Sequence, residues 1–146
     1  MTAGRKPTPT ALKLVKGNPG KRAVNKAEAV VALSEPTAAV FFETPSNPMM
    51  ELVDIAAVSE LAHAVGATVV VDNVFGTQVF SSPLRHGADV VVYSTTKHID
   101  GQGRVLGGAV LGSKDYIEGP VKNLMRHTGP SMSAFNAWVM LKGLET

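Results

Sequence analysis

Lys97 and Asp72 are the two side chains of this sequence whose neighbours suggest covalent chemistry. Lys97 lies in YSTTKHIDGQG, directly after the β-branched and aromatic run Val90 to Ser94, and behind three hydroxyls, Ser94, Thr95 and Thr96. A lone lysine after a strand is ordinarily a solvated loop residue. The alternative is a Schiff-base lysine, whose amine must shed its proton and therefore needs a partly desolvated, hydroxyl-lined pocket. Gly101, Gly103, Gly107 and Gly108 follow, a stretch in which the backbone can approach a ligand closely. Asp72 ends a second β-branched run, Ala67 to Val71, and is followed by Asn73.

The elements that would bring these groups together follow from residue type and period. Ala38 to Phe42 is a compact apolar strand, and ETPSNP (residues 43–48) is a turn with two prolines and Asn47 at its tip. Helical spacing then puts Leu52, Ile55, Ala56, Val58, Leu61, Ala62 and Val65 on one side, with Gly66 ending the helix. His63 on that helix is expected to be structural or solvent-facing. Strand Ala67 to Val71 delivers Asp72, and the short turn Pro83 to Gly87 leads to strand Val90 to Ser94 and a loop bearing Lys97. A further strand spans Gly108 to Leu111, and Lys114 to Arg126 is a helix interrupted near Gly119 and Pro120. Ser133 caps a last helix, Ala134 to Leu144, whose Trp138 is expected in the core. This alternation implies an α/β fold with a mostly parallel, right-handed βαβ sheet. Parallel neighbours end on one rim, where open α/β sheets bind ligands, so Asp72 and Lys97 would converge there. An aspartate able to pair with a pyridinium nitrogen, beside an imine-forming lysine, is what pyridoxal phosphate chemistry asks of a protein.

The stretch from about Val40 onward, with FFETPSNP, VVVDNVFGTQVF, VVYSTTKHIDGQG, LGGAVLG and HTGPSMSAFNAWVMLKGLET, resembles the pyridoxal-phosphate enzymes of Cys/Met metabolism. The resemblance implies an incomplete piece of the aspartate-aminotransferase-like large domain over residues 37–146. It implies that Lys97 bonds the cofactor and moves protons at the substrate's α and β carbons, and that Asp72 keeps the pyridine nitrogen protonated. Ser94 and Thr96 match hydroxyls that bind the cofactor phosphate, and Asn47 matches a residue near the ring oxygen and the substrate carboxylate. Val74 and Gly76 depart from the Thr and Ala of many relatives, which touches local packing only. The reactions implied are replacement or elimination at the γ carbon of a sulfur amino acid or acylated homoserine, and HTGPSMSAFNAW tilts towards sulfide replacement. Members are homo-oligomers that add a phosphate loop, a ring-stacking tyrosine and a substrate-clamping arginine from other segments. The expectation is therefore that this chain carries the lysine half of a site, is inactive alone, and has unpaired sheet edges or an uncovered core face.

Charge separates the first residues from the rest. Residues 1–26 hold seven Lys or Arg and no acid, against twelve acids beyond, inside a net charge of +2. Pro7, Pro9, Pro19, Gly17 and Gly20 interrupt this segment, so residues 1–30 read as a basic flexible arm with a short helical turn over Thr10 to Lys16. Such an arm is ordinarily a solvated tail, although it could neutralise nucleic-acid phosphates. GRKPTPTALKLVKGNPGKR also resembles the start of phage terminase small subunits, which implies a composite chain joined between Val24 and Thr37, with nucleic acid contacted only through residues 1–26. GNPGKR lacks the spacing of a phosphate loop, and GQGRVLGG follows a loop rather than opening a helix. With no cysteine, and with His86, His98 and His127 lacking ligand spacing, no metal is expected. No apolar run reaches bilayer-spanning length and no signal peptide is evident, so the expected compartment is the cytoplasm.

Overall fold

The computed structural model describes residues 36–145, so the basic arm and nearly all of the expected junction lie outside the described residues. Four five-residue strands form one sheet in the order β1-β2-β3-β4: β1 (Ala39–Glu43), β2 (Thr68–Asp72), β3 (Val90–Ser94) and β4 (Gly108–Gly112). The first three are parallel. Phe42 pairs with Val71 and Glu43 with Asp72, while Asp72 in turn pairs with Val92. Glu43, Asp72 and Ser94 therefore end on one rim. β4 runs antiparallel to β3, with Ser94 opposite Gly108, because the chain returns to that rim after Lys97 before re-entering the sheet.

Parallel strands need a covering layer, and α1 (Ile55–Ala64) supplies it between β1 and β2. Asp54 caps it by accepting the Ala57 N–H at 3.1 Å, a contact worth about 1 kcal/mol. The core joins Ala62 of this helix to Ala67, Val69, Val71, Ala88 and Val91, with Phe42, Ile55, Val65 and Tyr93 packed around them. Each fully buried valine contributes roughly 1.5–3 kcal/mol relative to exposure. Strand period 2 puts Val69 and Val71 on this face and Asp72 on the other.

Two connections complete the frame. α2 (Thr77–Phe80) and a 3₁₀ turn (Pro83–His86) link β2 to β3. After β4 come α3 (Lys114–Tyr116), a π turn (Ile117–Val121) holding Pro120, and α4 (Lys122–Thr128), which is the interrupted helix expected there. α5 (Ala134–Leu144) starts at Ser133, whose hydroxyl accepts the Asn136 N–H at 3.1 Å. No helix among the described residues is long and apolar enough to cross a membrane.

Three expectations need correction. Leu52 and Ala56 do not share the buried side of α1: Leu52 precedes the helix and is exposed, and the buried residues are Ser59, Leu61 and Ala62. Trp138 is not core, being 56% exposed and touching Phe135 with ring centroids 6.3 Å apart. The segment after β3 is not a plain loop but a helical turn, Thr95–Ile99, from which Lys97 alone departs (φ −89°, ψ −113°). β1 and β4 are the sheet edges, and Phe41, Phe80, Leu106 and Leu144 are exposed.

Two carboxylates pin this frame and set its acid sensitivity. Asp89 accepts the Val69 N–H at 2.7 Å and meets His63 Nε2 at 2.9 Å, tying β2 and α1 to the start of β3. Burial works to raise its pKa, but the Val69 N–H and His63 hold it below the usual value. Asp100 is also held low, chiefly by the Arg104 side chain against the opposing effect of burial. A lowered folded-state pKa gives stability that is complete above the unfolded value of about 3.9 and is lost as pH falls through the folded one. Urea midpoints should therefore decline below about pH 4, and Asp89→Asn and Asp100→Asn should each flatten that decline. An unchanged acid limb in both variants would refute the assignment.

Candidate active site

The rim where β1, β2 and β3 end opens into a cleft of about 680 Å³, lined by Glu43, Asn47, Asp72, Val74, Phe75, Ser94, Thr96, Lys97 and His98, with Gly101 and Gly103 at its edge. All five residues singled out from sequence, Asn47, Asp72, Ser94, Thr96 and Lys97, border this one cleft. Asp72 and Lys97 share it because β2 and β3 are adjacent and parallel. Asp72 is half-buried.

Each group is held by local bonding. Asp72 Oδ1 accepts the Val74 N–H at 3.0 Å, and the Asp72 carbonyl accepts the Thr44 N–H at 3.4 Å. Thr44 is itself buried, and its hydroxyl accepts the Val53 N–H at 2.9 Å, which fixes the entry to α1. Asn47 sits in a turn with cis peptide bonds before Pro45 and Pro48, and its N–H donates to Glu43 Oε2 at 2.8 Å. The Thr96 hydroxyl oxygen accepts the Gly107 N–H at 3.2 Å, leaving its own proton to donate to a ligand. The Gly107 carbonyl accepts the Thr95 N–H at 2.9 Å, so the glycine-rich return is stitched back onto the lysine turn.

Sequence reasoning passed over three groups. Asn73 is fully buried, and its Nδ2 lies 2.8 Å from the Thr77 carbonyl, 2.8 Å from Tyr93 Oη and 3.3 Å from the Ser81 carbonyl. Its N–H donates to the Val92 carbonyl at 3.1 Å, locking β2 to β3 one residue beyond Asp72. Gly76 fits against it because a Cβ there would overlap the Asn73 side-chain oxygen, and that nearby glycine was the available signal. Asp100 and Arg104 form an ion pair at 2.8 Å, signalled only by their i, i+4 spacing in IDGQGR. Glu43, Phe75 and His98 line the cleft without any signal stronger than their distance in sequence from the candidates.

Fold and cleft together define an α/β protein with a ligand site at the carboxyl rim of parallel strands, furnished with an amine, a carboxylate and hydroxyls. The model of the family described as "Cys/Met metabolism PLP-dependent enzyme" matches residues 21–146, and the chain belongs to that family. It is 75% identical over 115 residues to O-succinylhomoserine sulfhydrylase of Mycobacterium tuberculosis, covering 79% of this chain and 28% of the relative. It is 53% identical to O-succinylhomoserine sulfhydrylase of Pseudomonas aeruginosa, over 79% of this chain and 28% of that one. Among solved structures, it is similar to apo methionine gamma lyase from Micromonospora echinospora, with TM-score 0.77, 42% identity and coverage of 82% of this chain and 33% of that one. Cystathionine gamma synthase from Xanthomonas oryzae pv. oryzae gives TM-score 0.77 and 38% identity, over 84% and 32% of the two chains. The chain thus spans under a third of the length of these two curated relatives.

The cleft residues fit pyridoxal phosphate on chemical grounds. They offer an amine for its aldehyde, a carboxylate for its basic nitrogen, hydroxyls for its phosphate and the apolar Val74 and Phe75 beside them. Among the described residues no group of three or more His, Asp or Glu could hold a metal ion.

Proposed function

We propose that this chain contributes the lysine-bearing part of a pyridoxal-phosphate site for γ-replacement on O-succinylhomoserine, in which the Cγ–O bond breaks, succinate leaves and sulfide forms the Cγ–S bond of homocysteine. The observation that carries the reading is the meeting of Lys97, Asp72, Ser94 and Thr96 in one cleft. Lys97 Nζ would hold the cofactor carbonyl carbon, Asp72 the proton on its ring nitrogen, Ser94 and Thr96 its phosphate oxygens, and Asn47 its ring oxygen together with the substrate carboxylate. When bound, the group supplies an electron sink that makes the substrate's α C–H acidic. Lys97, which lines the cleft, would take the proton from the substrate's Cα and exchange protons at Cβ through its amine. Asp72 would keep the ring nitrogen charged. The identity to two sulfhydrylases favours succinylhomoserine and sulfide. Likeness to gamma-lyases and cystathionine gamma-synthases keeps elimination and cysteine addition as the competing reactions of the same site.

The test is direct. Mixed with pyridoxal phosphate, the chain should develop the visible absorbance of an amine-bound cofactor, and borohydride trapping followed by peptide mapping should find it on Lys97. Lys97→Ala should abolish the signal above that of surface lysines such as Lys114 and Lys142. A trapped cofactor spread evenly over the lysines, or undiminished by Lys97→Ala, would overturn the reading.

A further inference from the structure

The lysine turn is held from a direction the cofactor chemistry does not touch. Within Thr95–Ile99, Lys97 leaves the helical path, so helical bonding alone does not set its course. The contacts that do set it gather at the next residue but two. The Asp100 N–H donates to the Thr95 carbonyl at 2.9 Å, and the Gly101 N–H donates to the Lys97 carbonyl at 2.7 Å. The Asp100 side chain is completely buried, and Arg104 reaches both its oxygens: Oδ2 accepts the Arg104 N–H at 2.6 Å, and Oδ1 accepts Nε at 3.1 Å and Nη2 at 2.8 Å. This closes a ring over residues 100–104, in which Gly101 and Gly103 take positive φ (73° and 64°) and edge the cleft.

On the other side, α5 presses Gly143 against Asp100. A Cβ on Gly143 would overlap the Asp100 carbonyl and lie 2.8 Å from its Cα. A buried carboxylate is tolerated only when its charge is matched, and Arg104, 38% exposed, matches this one while its own head group still reaches water. Asp100, three residues beyond the lysine, is thus gripped between a charge-closed loop and a helix that packs without a side chain.

We propose that Asp100, gripped by Arg104 and backed by Gly143, is a positioning group that fixes the Lys97 turn so that the amine faces the cleft. The proposal rests on the reading of Lys97 as the cofactor lysine, and its test separates the two. Two measurements are made on the whole chain for Asp100→Asn, Arg104→Leu, Arg104→Lys and Gly143→Ala. One is amide hydrogen exchange, and the other is the share of borohydride-trapped pyridoxal phosphate on Lys97 against Lys114, Lys122 and Lys142. Asp100→Asn and Arg104→Leu should each speed exchange at the amides of Asp100 and Gly101 by about tenfold or more, the loss expected of a charge-assisted contact, with Val69 to Val71 unchanged. The Lys97 share of label should fall by a similar factor, and Arg104→Lys should lie closer to wild type than Arg104→Leu in both.

Unchanged exchange at residues 100 and 101, equal acceleration throughout the strands, or loosened exchange with undiminished labelling of Lys97 would each overturn the proposal. If Asp100→Asn does not fold, the Arg104 pair and Gly143→Ala decide the question by the same measures. If wild type shows no preference for Lys97, the cofactor reading fails, while the exchange pattern still decides whether Asp100 fixes the turn.

Discussion

Asp72→Asn is expected to weaken retention of pyridoxal phosphate by about 10- to 100-fold, the equivalent of the roughly 1.5–3 kcal/mol carried by a hydrogen bond to a charged group. The substitution keeps size and planarity but removes the negative charge that makes a protonated ring nitrogen favourable. Asn can still accept the Val74 N–H that Asp72 Oδ1 accepts at 3.0 Å, so the turn after β2 should survive. The main-chain anchors of the residue do not involve the side chain at all: Thr44 donates to its carbonyl, and Asn73 bonds across to Val92. The urea midpoint should therefore stay at the wild-type value while the spectral titration shifts. Asp72→Ala provides the contrast, because it loses both the charge and the Val74 contact and should cost affinity and a little stability together. Affinity of Asp72→Asn within twofold of wild type would mean that Asp72 does not face the cofactor nitrogen, and the proposed orientation of the ring would fall with it.

What sequence could and could not convey is visible at particular residues. β3 and α5 were legible to the residue, because Val90 to Ser94 is bounded by Gly87 and by hydroxyls, and because Ser133 is a side-chain cap that acts within three residues. β1 and β2 were displaced by one position, since Glu43 and Asp72 enter the ladder by pairing with each other, which apolar patterning does not reveal. The start of α1 was misplaced for a similar reason: the Thr44 hydroxyl holds Val53 from nine positions away, so Leu52 is kept out of the helix. That the five candidates share one cleft was legible for Asp72 and Lys97 from residue type and strand end, and for Asn47, Ser94 and Thr96 from the family resemblance. The groups behind them were not. Asn73 and Asp100 also depend on partners on other elements, Tyr93 and Gly143, and the local signals, Gly76 and the i, i+4 spacing to Arg104, do not announce those meetings.

The largest stability effect should come from Val71, the residue that precedes Asp72 on the opposite face of β2. Val71 is 0% exposed and packs in the cluster with Ala62, Val69 and Val91. Val71→Ala removes two carbons' worth of buried surface and leaves a small void, a cost of about 2 kcal/mol. Val71→Asp asks the same space to hold a carboxylate with no partner, a penalty of roughly 4 kcal/mol or more even after the group neutralises. Against a total of about 0.05–0.15 kcal/mol per residue over the described portion, the first should move the urea midpoint with an unchanged slope, and the second should abolish the cooperative transition. Val79→Ala, at a position 73% exposed, should change neither. The same comparison bears on the site, because neighbouring strand residues point to opposite faces. Asp72 is delivered to the cleft by Val71 being buried, so a strand that could slip by one residue would exchange them. Val71→Ala that lowers stability while cofactor labelling of Lys97 persists would show that register survives the loss of two methyl groups. Val71→Asp with a wild-type transition would mean that the face assigned to the core is not the buried one, and Asp72 could not then be the carboxylate in the cleft.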